Sequence, residues 1–167
     1  MSVYVWGQAM EPDFPLAVLE YRTGQGEDRM HWHDHLEVAL VLEGRGTFRF
    51  GRDELPAEPG DVFFINDALP HVALPEPGGA LRLLLVLFRP ELLAGPGCRD
   101  LDLGYLAPFR SDDAALARVP AASPLAMALE PVLGELLEVA ERHDPAERHL
   151  LDATLRRALA LAVRERC

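Results

Sequence analysis

At 167 residues the chain is long enough for one domain with a sizeable core, or a domain with a helical appendage. Hydrophobic residues make up 49% and charged residues 26%, a folded composition that excludes a disordered chain. The net charge of -11 repels phosphate backbones, so this stretch alone is a poor DNA or RNA binder, although an attached partner can supply that function.

Cys98 and Cys167 stand far apart in no metal-like spacing, which argues against a disulfide framework or a paired-cysteine zinc site. Met1 to Ala9 has neither a basic start nor a long apolar run, so no signal peptide is expected. No apolar stretch approaches about 20 residues, the length a membrane span needs. These features place the chain in the cytoplasm, with no membrane partner.

The first half reads as short strands. Val3 to Trp6 is a strand or arm, and Leu16 to Tyr21 a second strand closed by Thr23-Gly24-Gln25-Gly26. The run from His31 to Gly44 follows, with His31, His33, His35 and Glu37 at alternate positions before an almost wholly apolar stretch. In an extended strand all four point the same way. Gly44-Arg45-Gly46 turns into Thr47 to Phe50, and Gly51-Arg52 turns again. Pro59-Gly60-Asp61 leads into Val62 to Ile65, and His71 to Leu74 and Leu81 to Phe88 complete the set. Many short strands punctuated by Gly and Pro predict an antiparallel sandwich or barrel.

Arg89 to Ala122 is the least regular stretch, with Gly95-Pro96-Gly97, acidic Asp100 and Asp102, and an expected edge strand near Tyr105 to Phe109. From Ser123 the period becomes helical. Leu129, Val132, Leu133, Leu136, Leu137 and Ala140 form one stripe, with the helix starting or kinking at Pro131. Asp144, Pro145 and Glu147 carry the signature of a second helix start, followed by Leu151, Leu155, Leu159 and Ala162. So short a link predicts an antiparallel hairpin, which either covers the barrel or forms a dimer interface. The two leucine stripes favour the dimer. Arg164-Glu165-Arg166-Cys167 has no stop signal, so the natural protein is expected to continue.

Imidazoles with a carboxylate suit Mn, Fe, Ni, Cu or Zn better than Mg or Ca. His31 and His33 lie about 6.7 Å apart along a strand, close enough to converge on one ion. Glu37 is roughly 13 Å beyond His33 in a flat strand, so it joins them only if the strand bends. By parity His35 can replace either neighbour. A further ligand must come from elsewhere, and His71 is the one histidine left in the β-half. The competing reading is a solvated strand end, with Glu37 a partly buried carboxylate paired to an arginine such as Arg49.

His31-x-His33-x3-Glu37-x6-Gly44 resembles the first motif of the cupin superfamily, and Gly60-x5-Asn66-x-Ala68-x2-His71 the second. Met30 to Phe48, Pro59 to Asn66 with Pro70-His71, and the helical pair from Leu125 to Arg166 resemble the N-terminal sensor domain of AraC-type transcription regulators. The resemblance implies a mainly β fold, a cupin jelly-roll barrel over 1–122 followed by a helical dimerisation segment over 123–167. It implies metal ligands His31, His33, Glu37 and His71, with a divalent transition metal (Zn, Ni, Mn or Fe). A small-molecule effector, a homodimer through the C-terminal helices, and DNA contact through helix-turn-helix motifs beyond residue 167 follow from it. The alternative is a stand-alone metal-dependent cupin enzyme, a dioxygenase or isomerase. The sequence departs from the pattern in the second motif, where Asn66 and Ala68 replace the usual proline and glycine and Pro75 the closing asparagine. Before the first motif, Gln25 takes a family glycine's place.

Overall fold

A computed structural model describes residues 4–5, 7, 9–24, 28–94, 104–110 and 117–166. Cys98, Cys167, the Gly95-Pro96-Gly97 turn, Asp100 and Asp102 lie outside these residues, as do Val3, Trp6, Gln25 and Gly26. The strands are β1 (Tyr4–Val5), β2 (Leu16–Arg22), β3 (His31–Trp32), β4 (Leu36–Glu43), β5 (Gly46–Phe50), β6 (Asp53–Ala57), β7 (Val62–Ile65), β8 (His71–Pro75), β9 (Arg82–Phe88) and β10 (Arg118–Val119). Two helices follow, α1 (Pro124–Ala140) and α2 (Arg148–Arg166).

One sheet runs β1-β3-β8-β5-β6 and the other β10-β7-β4-β9-β2. The pairings are antiparallel except β1 with β3. β4 is buried on both faces. Its even positions Leu36, Val38 and Leu40 join Leu129, Leu133, Leu136, Leu155 and Leu159 in a core beneath the helical hairpin. Its odd positions Ala39 and Val41 join Phe48, Phe50, Phe63, Leu83 and Leu85 inside the barrel. Strand alternation therefore turns Glu37 to the interior, and a one-residue slip would put it against the helices.

Two motif glycines have visible reasons. Gly44 takes φ +86° with Ala80 O only 2.0 Å from where a Cβ would sit, and Gly60 takes φ +89° with Ala121 Cβ at 2.9 Å. Side chains are excluded by both conformation and space. Next to Gly60, buried Asp61 accepts hydrogen bonds from Glu58 N, Arg118 Nε and Ala121 N. It ties the entry to α1 onto the barrel.

The structure departs from the sequence reading in several places. The histidine run is two strands in two sheets, because the chain crosses from one sheet to the other at Asp34 and His35. β6 is not expected from the sequence, where Pro56 and two acidic residues argue against a strand, but as an edge strand beside β5 it tolerates proline. The expected edge strand near Tyr105 to Phe109 is instead a 3-10 turn over Ala107–Phe109, with Phe109 packed edge-on to Phe64 and Phe88. α1 starts not at Pro131 but at Pro124, where Ser123 Oγ accepts from Ala126 N and proline occupies the first turn. Asp144 caps as expected, accepting from Ala146 N at 2.9 Å, while Glu147 pairs with Arg142 instead of reaching back. The leucine stripes of both helices face the barrel and each other, so they cannot themselves be the surface of a dimer.

Candidate metal and ligand site

The polar cluster forms where the chain changes sheets. His31 on β3 sits opposite His71 on β8, two residues forty apart made neighbours by register. The bend after His33 then folds β4 back toward them. His33 Nε2 comes within 2.9 Å of Glu37 Oε2, and His71 Nε2 lies 3.6 Å from the same oxygen. The His31 and His71 ring centroids are 4.4 Å apart, and those of His33 and His71 4.9 Å. All four residues singled out by the motifs thus meet at one end of the barrel. The solvated-edge reading fails: His33, Glu37 and His71 are buried, and Arg49 bonds Glu54 on β6.

Three rings are oriented by the same device. Nδ1 of His31 bonds the carbonyl of Arg29, Nδ1 of His33 that of His35, and Nδ1 of His71 that of Leu69, at 2.8 to 2.9 Å. A carbonyl only accepts, so each Nδ1 carries the proton and, in the neutral ring, each Nε2 presents a lone pair. For His33 that lone pair faces a carboxylate oxygen. Two acceptors at 2.9 Å require a cation between them, either a proton or a metal ion. Ligands bound at 2.0 to 2.2 Å at tetrahedral or octahedral angles are about 3 Å apart, so the spacing suits an ion.

His35 is the residue the motif set omits. It is buried, its ring stacks on His33 with centroids 3.9 Å apart and planes 9° apart, and its Nδ1 lies 3.6 Å from Asp34 Oδ1. Donor atoms of His33, His35 and Glu37 lie within 4.8 Å of one another. This is a second donor set sharing two residues with the first, and strand parity had marked it.

The electrostatics follow from burial. For Glu37, desolvation pushes the carboxyl pKa up, but the approach of His33 and His71 outweighs it and holds the group well below the ordinary carboxylate range. His31 is lowered by burial and by neighbouring His71. His35 is lowered to about 4, again by burial first and then by His33.

A cavity of about 70 Å³ opens beside the cluster. His31, Glu37 and His71 form its polar end, and Phe48, Leu83 and Leu85 its walls. Tyr21, Asp28 and Arg29 stand at the rim. Asp28 accepts from Gly24 N at 2.9 Å and hydrogen-bonds the Tyr21 hydroxyl, which with burial raises the phenol pKa. None of these rim and wall residues was singled out from sequence as a site residue. The available signal was the inward parity of Tyr21, which pairs with Leu83 across β2 and β9.

Comparison with known proteins decides the family. The model of the AraC-like ligand binding domain matches residues 15–159. The chain belongs to that family. An AraC-like ligand-binding domain is an effector-binding regulatory domain. The crystal structure of the AraC-like transcriptional activator CuxR aligns with 92% of this chain and 52% of its own, at 20% identity and a TM-score of 0.56, which shows the shared fold. An uncharacterized HTH-type transcriptional regulator, YdeC of Bacillus subtilis (strain 168), is 25% identical over 80 residues, 48% of this chain and 26% of that protein. A cupin 2 conserved barrel domain protein from Salinispora arenicola CNS-205 aligns over 52% of this chain and 71% of its own, at 16% identity and a TM-score of 0.42. The chain thus spans about a quarter of the curated regulator it matches and half of the CuxR chain. Among the described residues no helix is long and apolar enough to cross a membrane.

Proposed function

We propose that this AraC-like domain senses a small molecule for a transcription regulator, and that His31, His33, Glu37 and His71 hold a divalent transition metal (Zn, Ni, Mn or Fe) in its pocket. The observation that carries the metal reading is the shared tautomer. Three buried or half-buried rings spend Nδ1–H on backbone carbonyls, and two of them, His33 and His71, turn Nε2 toward one carboxylate. This second-shell arrangement typifies metal-binding histidines. The donor set of imidazole and carboxylate fits such an ion. When bound, it would supply a Lewis-acidic anchor for a donor atom of the effector.

The remaining assignments rest on the family. The barrel over 1–122 senses, the segment over 123–167 pairs two chains through the outward face of its helices, and helix-turn-helix motifs beyond residue 167 contact DNA. The -11 charge fits this division of labour, since the acidic part leaves DNA to another. The Bacillus relative, named as an HTH-type regulator, supports it. We read the domain as cytoplasmic and as binding its ligand without turnover, because a ligand constellation alone does not establish catalysis.

Elemental analysis of protein purified without a histidine tag tests the metal, with one ion per chain expected and lost in His33→Ala. Calorimetry against small acids, sugars and aromatic compounds tests sensing. Heat from none of them would sink that reading, and turnover of a cyclic diol or keto-sugar, abolished by His31→Ala, would establish the enzyme instead.

A further inference from the structure

The cavity beside the histidines combines a polar cluster with apolar walls. His31, Glu37 and His71 gather their polar atoms in one cluster, Tyr21 and Asp28 at the rim bond each other, and Phe48, Leu83 and Leu85 make the walls apolar. A sugar carries hydroxyls around its whole rim. In this cavity those set against Phe48, Leu83 and Leu85 would face hydrocarbon with no partner, a loss that polar recognition sites avoid. The ligand therefore has one polar head and a hydrocarbon body.

The head's charge follows from counting. Glu37 supplies one negative charge, and the rings of His31, His33 and His71, neutral in the liganding form, supply none. A divalent ion held there keeps one uncompensated positive charge within a largely buried, apolar-walled site, which is costly unless a counter-charge arrives. At the rim Arg29 and Asp28 carry opposite charges that offset each other, so the count stays at one positive charge. A monoanionic head balances the site, whereas a dianion would overshoot it.

The body's size follows from volume. About 70 Å³ is half the volume of an apolar protein cavity of roughly 150 Å³ that takes up benzene. A ring does not enter without displacing a wall, but a few methylene groups do. The geometry points to a short aliphatic monocarboxylate as the ligand, its carboxylate at the His31–Glu37–His71 end and its chain against Phe48, Leu83 and Leu85. The inference rests on the metal reading above and adds to it the class of effector.

The test uses the 167-residue chain, stripped by chelator and reloaded with Co(II), whose visible absorption reports its ligands. Butyrate is expected to shift the Co(II) bands and to bind saturably by calorimetry. Binding to metal-free protein, and of the neutral isostere butyramide to the loaded protein, should each be weaker by roughly tenfold or more. Benzoate and glucose should leave the spectrum unchanged. Butyramide binding as tightly as butyrate overturns the charge argument, benzoate binding as tightly overturns the size argument, and glucose alone binding overturns both. Co(II) uptake with no response to butyrate overturns this inference and leaves the metal reading intact. Failure to take up Co(II), Zn(II), Ni(II) or Mn(II) overturns the metal reading and this inference with it.

Discussion

His33 faces Glu37 at 2.9 Å through Nε2 while its Nδ1 donates to the carbonyl of His35, so one ring is fixed at both ends. That doubly fixed ring makes a sharp test of which residues bind metal. If His31, His33, Glu37 and His71 are the ligands, Glu37→Gln and His71→Ala each lower affinity by more than the 10- to 100-fold typical of an outer-shell partner. His35→Ala then falls within that outer-shell range. A competition assay with a chromogenic chelator measures all three variants. If His35→Ala costs the most and His71→Ala nothing, the set His33, His35 and Glu37 is the site instead.

How much of this site could be read from the chain depended on whether distance along the sequence meant distance in space. Alternation sets His31, His33, His35 and Glu37 on one face without saying which, and the apolar run behind Glu37 explains why β4 is buried on both sides. Parity does not survive the sheet crossing at Asp34, however, so the 2.9 Å contact of His33 with Glu37 was legible only as a condition, that the strand bend. His71 was found by elimination and motif, and β3–β8 register supplies the physical cause. The rim was not legible, since nothing local to Asp28 or Arg29 shows that their segment lies over the barrel mouth. The helices illustrate the opposite error. Their leucine stripes were plain, but amphipathic periodicity shows that a face is covered and not what covers it.

Without metal, acid should loosen the fold in a defined window. Glu37 has its pKa lowered in the folded state, so its contribution is present above the ordinary value of 4.5 and fades as pH falls toward the depressed one. His35 is lowered from 6.5 to about 4, so the unfolded chain takes up that proton first. Its contribution is complete above 6.5 and lost on the way down to about 4. Thermal melts in chelator should give a Tm that falls as pH drops from 6.5 to 4, and His35→Gln should make that limb shallower. A flat Tm across the window would contradict the burial of His35 as a neutral ring.

Ala68 marks where the second motif departs from its family, and its backbone explains the family's glycine. It takes φ +57°, is exposed, and donates its N–H to the carbonyl of His33 at 2.9 Å. A non-glycine residue in the left-handed region costs about 1–2 kcal/mol, partly offset because glycine loses more freedom on folding. Ala68→Gly should therefore stabilise the domain by about 0.5–1 kcal/mol, a Tm rise of roughly 1–4 °C for a domain of this size. A fall in Tm would mean that this turn is not held as described.

The outward surface of the helical pair is where pairing of two chains must be tested, because the inward surface is spent. Leu136 and Leu155 are fully buried, packed with Val38 and Leu84 of the barrel sheet. Leu136→Ala should cost about 2–5 kcal/mol in chemical denaturation, as large-to-small core changes do, whatever the state of association. Met127 on α1 is 66% exposed and Leu150 on α2 39%, and both are large apolar side chains. A charge at either position costs the isolated fold little, within about 0.5 kcal/mol for a surface site. If the helices pair through their exposed sides, Met127→Asp with Leu150→Glu should shift the chain from dimer to monomer in light scattering while its melting temperature at low concentration stays unchanged. A dimer that survives the double substitution would place the interface elsewhere, and loss of folding in Met127→Asp alone would show that this methionine is packed rather than presented.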